Sequence, residues 1–177
     1  MRYGMAIEIN KCVGCADCVV ACQTENNVPI GYSRDWIVEK VSGKYPDLSL
    51  HFETQRCNHC EDTPCVRTCP TGASHVVEGG IVKVTQDECI GCGACIEACP
   101  YDARYFHPDG YVDKCTFCEH RVTDGLDPAC VSVCPTSCMH FGDLDDPDSD
   151  ISKLISKRDN FTILPEAGTA PQIYYLK

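Results

Sequence analysis

The cysteines of this chain of 177 residues are spaced in a regular pattern that limits the folds the chain can adopt. Sixteen of the 17 cysteines fall into four runs of four, and every run closes with two cysteines separated by three residues. Two runs have gaps of two, two and three residues, and the others widen the middle gap to four and to eleven. The runs are Cys12, Cys15, Cys18, Cys22; Cys57, Cys60, Cys65, Cys69; Cys89, Cys92, Cys95, Cys99; and Cys115, Cys118, Cys130, Cys134.

Disulfides and zinc are the first alternatives for so many cysteines. An odd count fits full pairing badly, near neighbours would form strained bridges, and the chain opens without the pattern of a secretory signal peptide. Zinc often binds Cys-x2-Cys pairs, but its sites do not need the final step of each run, the Cys-x3-Cys spacing. That step, after two gaps of two residues, is how bacterial ferredoxins bind [4Fe-4S] clusters. The sequence therefore predicts four such clusters.

The final step also predicts how clusters are paired. The fourth cysteine lies one helical turn beyond the third, a rise of about 6 Å, so it reaches a second cluster more easily than the first. Two runs then exchange their last cysteines. Their clusters would lie on the order of 10 Å apart, close enough for electrons to tunnel between them.

The connections between runs suggest which runs exchange. Runs two and three are separated only by residues 70–88, which read as strands 75–77 and 81–84 around a glycine turn. The predicted fold class is therefore α+β, two nested ferredoxin-like modules with short strands, short helices and long loops. Pairing runs one with two and three with four also fits the spacing. The nested division places runs two and three in 52–108, runs one and four in 1–25 with 109–145, a connector in 26–51 and a C-terminal helix and tail in 146–177.

In the nested arrangement each cluster takes three cysteines from one run and the fourth from its partner run. We call the four groups sets A to D. Set A is Cys12, Cys15, Cys18 and Cys134; set B is Cys22, Cys115, Cys118 and Cys130; set C is Cys57, Cys60, Cys65 and Cys99; set D is Cys69, Cys89, Cys92 and Cys95.

Hydropathy predicts a few further elements. The sequence indicates an edge strand at 3–9, short strands at 103–107 and 139–142, and a helix from about Ile151 to Lys157 capped by Asp148 or Ser149. The tail from Leu164 onward lacks periodicity, so we expect it along the surface or against a partner.

Three chemically active side chains lie outside the sets. Cys138 is expected to be a buried, inert thiol. His59, between Cys57 and Cys60, could donate an N–H to a cluster sulfur, and His75 is expected to bond backbone or water.

No catalytic triad, phosphate-binding glycine loop or flavin motif accompanies the cysteines. The sequence predicts an electron carrier, not an enzyme.

Charge and hydropathy limit the kinds of partner that this chain is expected to bind. The formal net charge is −11, and four thiolate-bound clusters would add roughly −8. Nucleic acid is therefore not expected as a partner. The apolar runs are too short to span a membrane, so any membrane anchor would be a separate subunit.

Beyond the cysteines, several segments resemble one family, the iron–sulfur subunits of dimethyl sulfoxide reductase-type molybdopterin oxidoreductases. The resemblance covers essentially the whole chain and is greatest for the small subunits of polysulfide or thiosulfate reductase. Residues 100–114, between runs three and four, form a short connection where the similar arsenate reductase subunit has an insertion. The segments are MAIEINKCVGCADC, CNHCEDTPCVRTCPTGA, CIGCGACIEACPYDARY, KCTFCEHR, FGDLDDP and LPEAGTAPQIYY.

The resemblance implies the nested pairing and two partners in anaerobic respiration. A catalytic subunit with a molybdenum or tungsten pterin cofactor would lie nearest set A, and an integral-membrane, quinone-binding anchor nearest set D. It also implies a peripheral subunit facing the periplasm after export with the catalytic subunit, with a cytoplasmic complex as the alternative. Two other functions remain open at this stage: a free polyferredoxin, and the electron subunit of a soluble molybdenum enzyme such as a transhydroxylase.

Overall fold

A computed structural model describes all residues, 1–177. Its elements are short and joined by loops that carry most of the cysteines. The strands are β1 Tyr3–Glu8, β2 Asp35–Lys44, β3 Asp47–Arg56, β4 Ser74–Val77, β5 Ile81–Val84, β6 Tyr105–Phe106, β7 Val112–Asp113, β8 Met139–Asp143, β9 Asn160–Phe161 and β10 Ile173–Leu176. The helices are α1 Asp17–Glu25, α2 Pro64–Arg67, α3 Ala94–Glu97, α4 Glu119–Val122, α5 Ala129–Ser132 and α6 Asp150–Lys157.

The largest sheet has four strands in the order β8–β1–β10–β9. Within it, Met5 of β1 lies opposite Ile173 of parallel β10 on one side and Phe141 of antiparallel β8 on the other. The prediction that residues 3–9 form an edge strand was therefore wrong. The strand is central, and five of its six residues are buried, because both neighbours come from the far end of the chain.

The C-terminal tail also differs from expectation. Instead of lying on the surface, Ile173, Tyr175 and Leu176 are fully buried in the central sheet. The Tyr175 hydroxyl donates a hydrogen bond to the Thr54 carbonyl at 2.9 Å. This strand has only four residues, of which three are buried, so it lacks the alternation that would predict it from sequence.

Residues 26–51, expected to be a connector, hold most of a two-stranded hairpin. Strands β2 and β3 pair along their whole length, from Asp35 opposite Arg56 to Lys44 opposite Asp47. The base of the hairpin is buried and joins run two, whereas residues 39–50 are exposed. The hairpin thus places Thr54 and Arg56 in the protein interior.

The smaller predicted elements are confirmed. Strands β4 and β5 form a hairpin around a 3-10 turn, and β6 and β8 lie where short strands were expected. Helix α6 begins after Ser149, whose hydroxyl accepts a hydrogen bond from the Ser152 N–H at 3.2 Å. This is the predicted N-cap.

Candidate metal centres

Two small cavities are each lined by four cysteines, and the two are similar in size. Each cavity takes three cysteines from one run and the fourth from another. The cysteines are Cys22, Cys115, Cys118 and Cys130 in the first, and Cys69, Cys89, Cys92 and Cys95 in the second.

These groups coincide with sets B and D. Short helices at the final step of each run separate the fourth cysteine from the other three. Helix α1 carries both Cys18 and Cys22, and α3 ends at Glu97, two residues before Cys99. Each helical turn carries the fourth cysteine away from the first three. That these thiols bind iron stays a prediction.

The remaining cysteines form two further groups. Burial, and the charges of Cys57, Cys65 and Cys99, raise the pKa of Cys60 to about 11, although a hydrogen bond with Thr169 opposes them. These four residues are set C, and Cys60 lies near enough to the other three for their charges to act on it.

The fourth group lies around Cys138. This thiol is influenced by the charges of both Cys134 and Cys12, which belong to runs four and one. Cys15, of the same loop as Cys12, is exposed, whereas Cys18 is buried. Runs one and four therefore approach each other here as in set A.

Backbone N–H groups surround the cysteine sulfurs. Four of them donate to cysteine Sγ atoms at 3.3 to 3.4 Å. At Cys69 partial burial raises the pKa, but hydrogen bonds from Ser74 and Thr71 outweigh it and hold the pKa below its usual value. Such bonds stabilise the thiolate, the form that binds iron. The donors are the N–H groups of Ser74, Val112, Phe117 and Cys138, bonded to Cys69, Cys89, Cys115 and Cys134 respectively.

The loop of run three shows why glycine is required there. Gly91 has a φ of +64°, and a Cβ on it would lie 2.5 Å from the Gly110 carbonyl oxygen. A larger residue would be strained by its backbone and by this contact. Gly91 therefore allows the loop to fold closely around Cys89 and Cys92.

Three basic side chains are buried among the sets. Arg56, Arg104 and Lys114 are 1%, 4% and 1% exposed. The Arg56 Nη1 donates to Cys130 Sγ at 2.9 Å, and the Arg104 Nη2 donates to Cys65 Sγ at 2.9 Å. Buried cations need compensating anions. Thiolates at Cys130 and Cys65 would supply this negative charge if these residues bind a cluster.

Several buried donors have no partner within the protein. They are Arg56 Nε, Arg104 Nε and Nη1, and His59 Nε2. Arginine nitrogens can only donate hydrogen bonds, and a buried unsatisfied donor is costly. Sulfide ions of a [4Fe-4S] cluster are acceptors that these groups could reach. Thiolates surrounded by free N–H donors therefore fit this cofactor.

Comparison with known proteins agrees with this chemistry. Two families described as 4Fe-4S dicluster domains match residues 48–144 and 11–73. A polysulfide reductase subunit of Wolinella succinogenes is 44% identical, over 98% of this chain and 93% of the relative. The chain belongs to the iron–sulfur subunits of the dimethyl sulfoxide reductase family.

Two further relatives show the breadth of the family. The arsenate respiratory reductase iron–sulfur subunit of Shewanella is 36% identical over 100% of this chain and 97% of its own length. A protein of Halobacterium salinarum, provisionally named as an iron–sulfur subunit of dimethyl sulfoxide reductase, is 42% identical over 99% of this chain and 79% of its own length.

Like these iron–sulfur subunits, the chain is an electron carrier of a multi-subunit reductase and not its catalytic subunit. Its two dicluster domains give four [4Fe-4S] clusters. No helix of this iron–sulfur subunit has the length and apolarity to cross a bilayer.

His59 is placed as a donor in this iron–sulfur subunit. The Val82 N–H donates to its Nδ1 at 3.0 Å, which leaves the proton on Nε2. Burial, and after it Lys114, Arg104 and Arg56, hold the pKa of His59 well below its usual value, so the ring is neutral. Its Nε2–H is free to reach a cluster sulfur. His75 Nδ1, by contrast, lies 2.9 Å from the Ala73 carbonyl oxygen.

Cys138 is buried, as predicted, but it contacts a candidate ligand. Its Sγ lies 3.5 Å from Cys134 Sγ, and its N–H donates to the same sulfur at 3.4 Å. Burial raises the pKa of Cys138 to about 12, so it remains a thiol that can donate. Sequence spacing did not indicate this contact, although the four-residue step from Cys134 could have suggested it.

We expect Cys138→Ala to keep all iron and to lower the midpoint potential of one cluster. The loss of a weak S–H donor leaves the ligands in place but makes the reduced cluster less stable. Iron analysis and an EPR-monitored redox titration test both parts. Loss of a whole cluster signal would show instead that Cys138 is a ligand.

Proposed function

We propose that sets A to D are the ligand sets of the four clusters. The cavities lined by sets B and D support this assignment directly. The charge interactions around Cys60 and Cys138 support sets C and A. On this proposal, 1–25 with 109–145 and 52–108 are two nested modules. Residues 26–51 and 146–177 complete them with the hairpin and the C-terminal strand.

We propose that this subunit conducts electrons between two partners, one at set A and the other at set D. The observation that carries the proposal is the exposure of one cysteine in each of these sets. Cys15 of set A and Cys92 of set D are exposed, whereas no cysteine of sets B and C is. The [4Fe-4S] cluster supplies one-electron transfer. The exposed cysteines mark the places where a redox partner can approach closely.

The residues beside these cysteines fit contact surfaces. Val13 is 58% exposed and Ile90 is 66% exposed, and they occupy equivalent positions in the loops of runs one and three. In the loops of runs two and four, His59 and Phe117 are each 1% exposed and stack on each other with ring centroids 3.7 Å apart. The loops at sets A and D thus face outward with apolar tips, and those at sets B and C face inward.

Membership of the family supports a proposal for the two partners. We propose a molybdopterin catalytic subunit at set A and an integral-membrane, quinone-binding anchor at set D, in a polysulfide- or thiosulfate-type reductase. Polysulfide reductase is the named complex of a relative that is 44% identical. The complex would face the periplasm after joint export, and a cytoplasmic complex is the alternative.

Anaerobic purification of the tagged chain from detergent-solubilised membranes tests this function. We expect molybdenum or tungsten, a pterin and a quinone-binding membrane protein to co-purify. Val13→Glu should release the catalytic subunit and Ile90→Glu the anchor, each with iron content unchanged. Val76→Glu, at a side chain that is 47% exposed outside both loops, is the control.

The alternatives give different results. A free polyferredoxin would purify as a monomer whichever residue is changed. A soluble molybdenum enzyme of the transhydroxylase type would retain the metal and the catalytic subunit without any membrane protein. Either result would overturn the proposed function.

A further inference from the structure

Arg56 makes a connection between sets A and B. Its Nη1 donates to Cys130 Sγ of set B at 2.9 Å. Its Nη2 donates to the Thr54 hydroxyl, whose oxygen lies 3.7 Å from Cys18 Sγ of set A. One buried guanidinium therefore contacts one set directly and reaches the other through a single hydroxyl group.

Arg104 makes the corresponding connection between sets C and D. Its Nη2 donates to Cys65 Sγ of set C at 2.9 Å and to the Ser74 hydroxyl at 3.0 Å. The Ser74 N–H donates in turn to Cys69 Sγ of set D at 3.3 Å. Each pair of sets thus has a buried arginine, joined to one sulfur directly and to the partner set through a hydroxyl-bearing residue.

Carboxylates account for these two arginines only in part. Arg56 forms a buried salt bridge with Asp35 at 3.5 Å, and Arg104 forms none. Both keep unpaired N–H groups, at Nε and, in Arg104, also at Nη1. Lys114, the third buried cation, instead donates from Nζ to the backbone carbonyls of Val82 and Cys115. Of the three buried cations, only the arginines therefore donate directly to cysteine sulfurs.

We propose that Arg56 and Arg104 are positioning residues that set the reduction potentials of two clusters at once, those of sets A and B and those of sets C and D. The inference rests on the proposed ligand sets. A positive charge in a poorly solvated interior stabilises an electron added to either neighbouring cluster, and hydrogen bonds to the sulfurs act in the same direction. Each arginine therefore raises a pair of potentials together.

Arg56→Gln and Arg104→Gln test the inference in the purified complex. We expect Arg56→Gln to lower two of the four midpoint potentials, and Arg104→Gln to lower the other two. In each case the equilibrium constant for reduction should fall about tenfold or more, which is 59 mV for one electron. Arg67→Gln, at a side chain that is 62% exposed, is the control and should move none.

EPR-monitored redox titration measures these shifts, and cysteine variants assign each signal to its set. A shift of a single potential, of all four or of none would overturn the inference. Unchanged iron content and partners in those same samples would leave the proposed function standing. Conversely, a wild-type chain without four cluster signals would refute the ligand sets before any arginine variant is compared.

If Arg56→Gln or Arg104→Gln causes loss of iron, a milder pair of variants tests the same inference. Thr54→Val removes the hydroxyl that contacts both Arg56 and Cys18, and Ser74→Ala removes the hydroxyl that Arg104 binds but keeps the N–H bond to Cys69. We expect Thr54→Val to lower the potential of the set A cluster alone, and Ser74→Ala to lower that of the set D cluster alone, by less than the arginine variants. If the arginine variants lose iron and these potentials do not move, the inference fails.

Discussion

Cys12→Ser and Cys134→Ser will weaken or abolish the same EPR signal, and Cys69→Ser will affect a different one. Cys12 and Cys134 are over a hundred residues apart, yet both influence the Cys138 thiol. Cys69 lines the cavity of set D with three cysteines of run three. A cluster left with three thiolates commonly loses an iron or falls apart, whereas its neighbours keep four ligands.

The control for this experiment is Cys138→Ala, which should retain every signal. Iron analysis of each serine variant should show a loss of roughly one to four iron atoms, because one cluster at most is removed. If Cys12→Ser and Cys69→Ser affect the same signal, runs one and two are paired and the nested ligand sets are wrong. The placement of the catalytic partner at set A would then be wrong as well.

Tyr175→Ala should destabilise the whole chain. Tyr175 is fully buried, its ring stacks on Phe161 with centroids 5.4 Å apart, and its hydroxyl bonds the Thr54 carbonyl. Removal of a buried aromatic ring costs about 3–5 kcal/mol, since contacts are lost and a cavity remains. Tyr175→Phe removes only the hydrogen bond and should cost about 1 kcal/mol.

Tyr174→Ala is the matched control, because the neighbouring tyrosine is only partly buried. The measurement is the urea concentration at which half of the cluster absorbance is lost under anaerobic conditions. Clusters leave when the chain unfolds, so variants are compared at a fixed incubation time. Equal midpoints for Tyr175→Ala and Tyr174→Ala would show that the C-terminal strand does not stabilise the cluster-binding core.

Local features of this fold could be predicted from sequence. The β4–β5 hairpin and the Ser149 cap of α6 follow from residue types within a few positions of one another. The exchange of fourth cysteines between runs could also be anticipated, because the three-residue final step places the fourth cysteine one helical turn beyond the third, but the spacing left two pairings of the runs open. In each case the residues that interact are close in sequence, or the pattern that they form is repeated four times.

Features that depend on distant partners could not be predicted. The central position of β1 is set by β8 and β10, whose registers place Phe141 and Ile173 opposite Met5. Arg56 and Arg104 look like surface residues in the sequence, since burial of a cation is unfavourable without an anion. Their burial depends on thiolates that only the folded chain brings to them.

The measurement that tests the central claim most directly is the iron and acid-labile sulfide content of the anaerobically purified complex. Sixteen ligands in four sets predict roughly 16 iron and 16 sulfide per chain, four of each for every cluster. Zinc should be absent from the cysteine sites. About half that iron, with zinc making up the difference, would contradict the claim that the sixteen cysteines hold four [4Fe-4S] clusters.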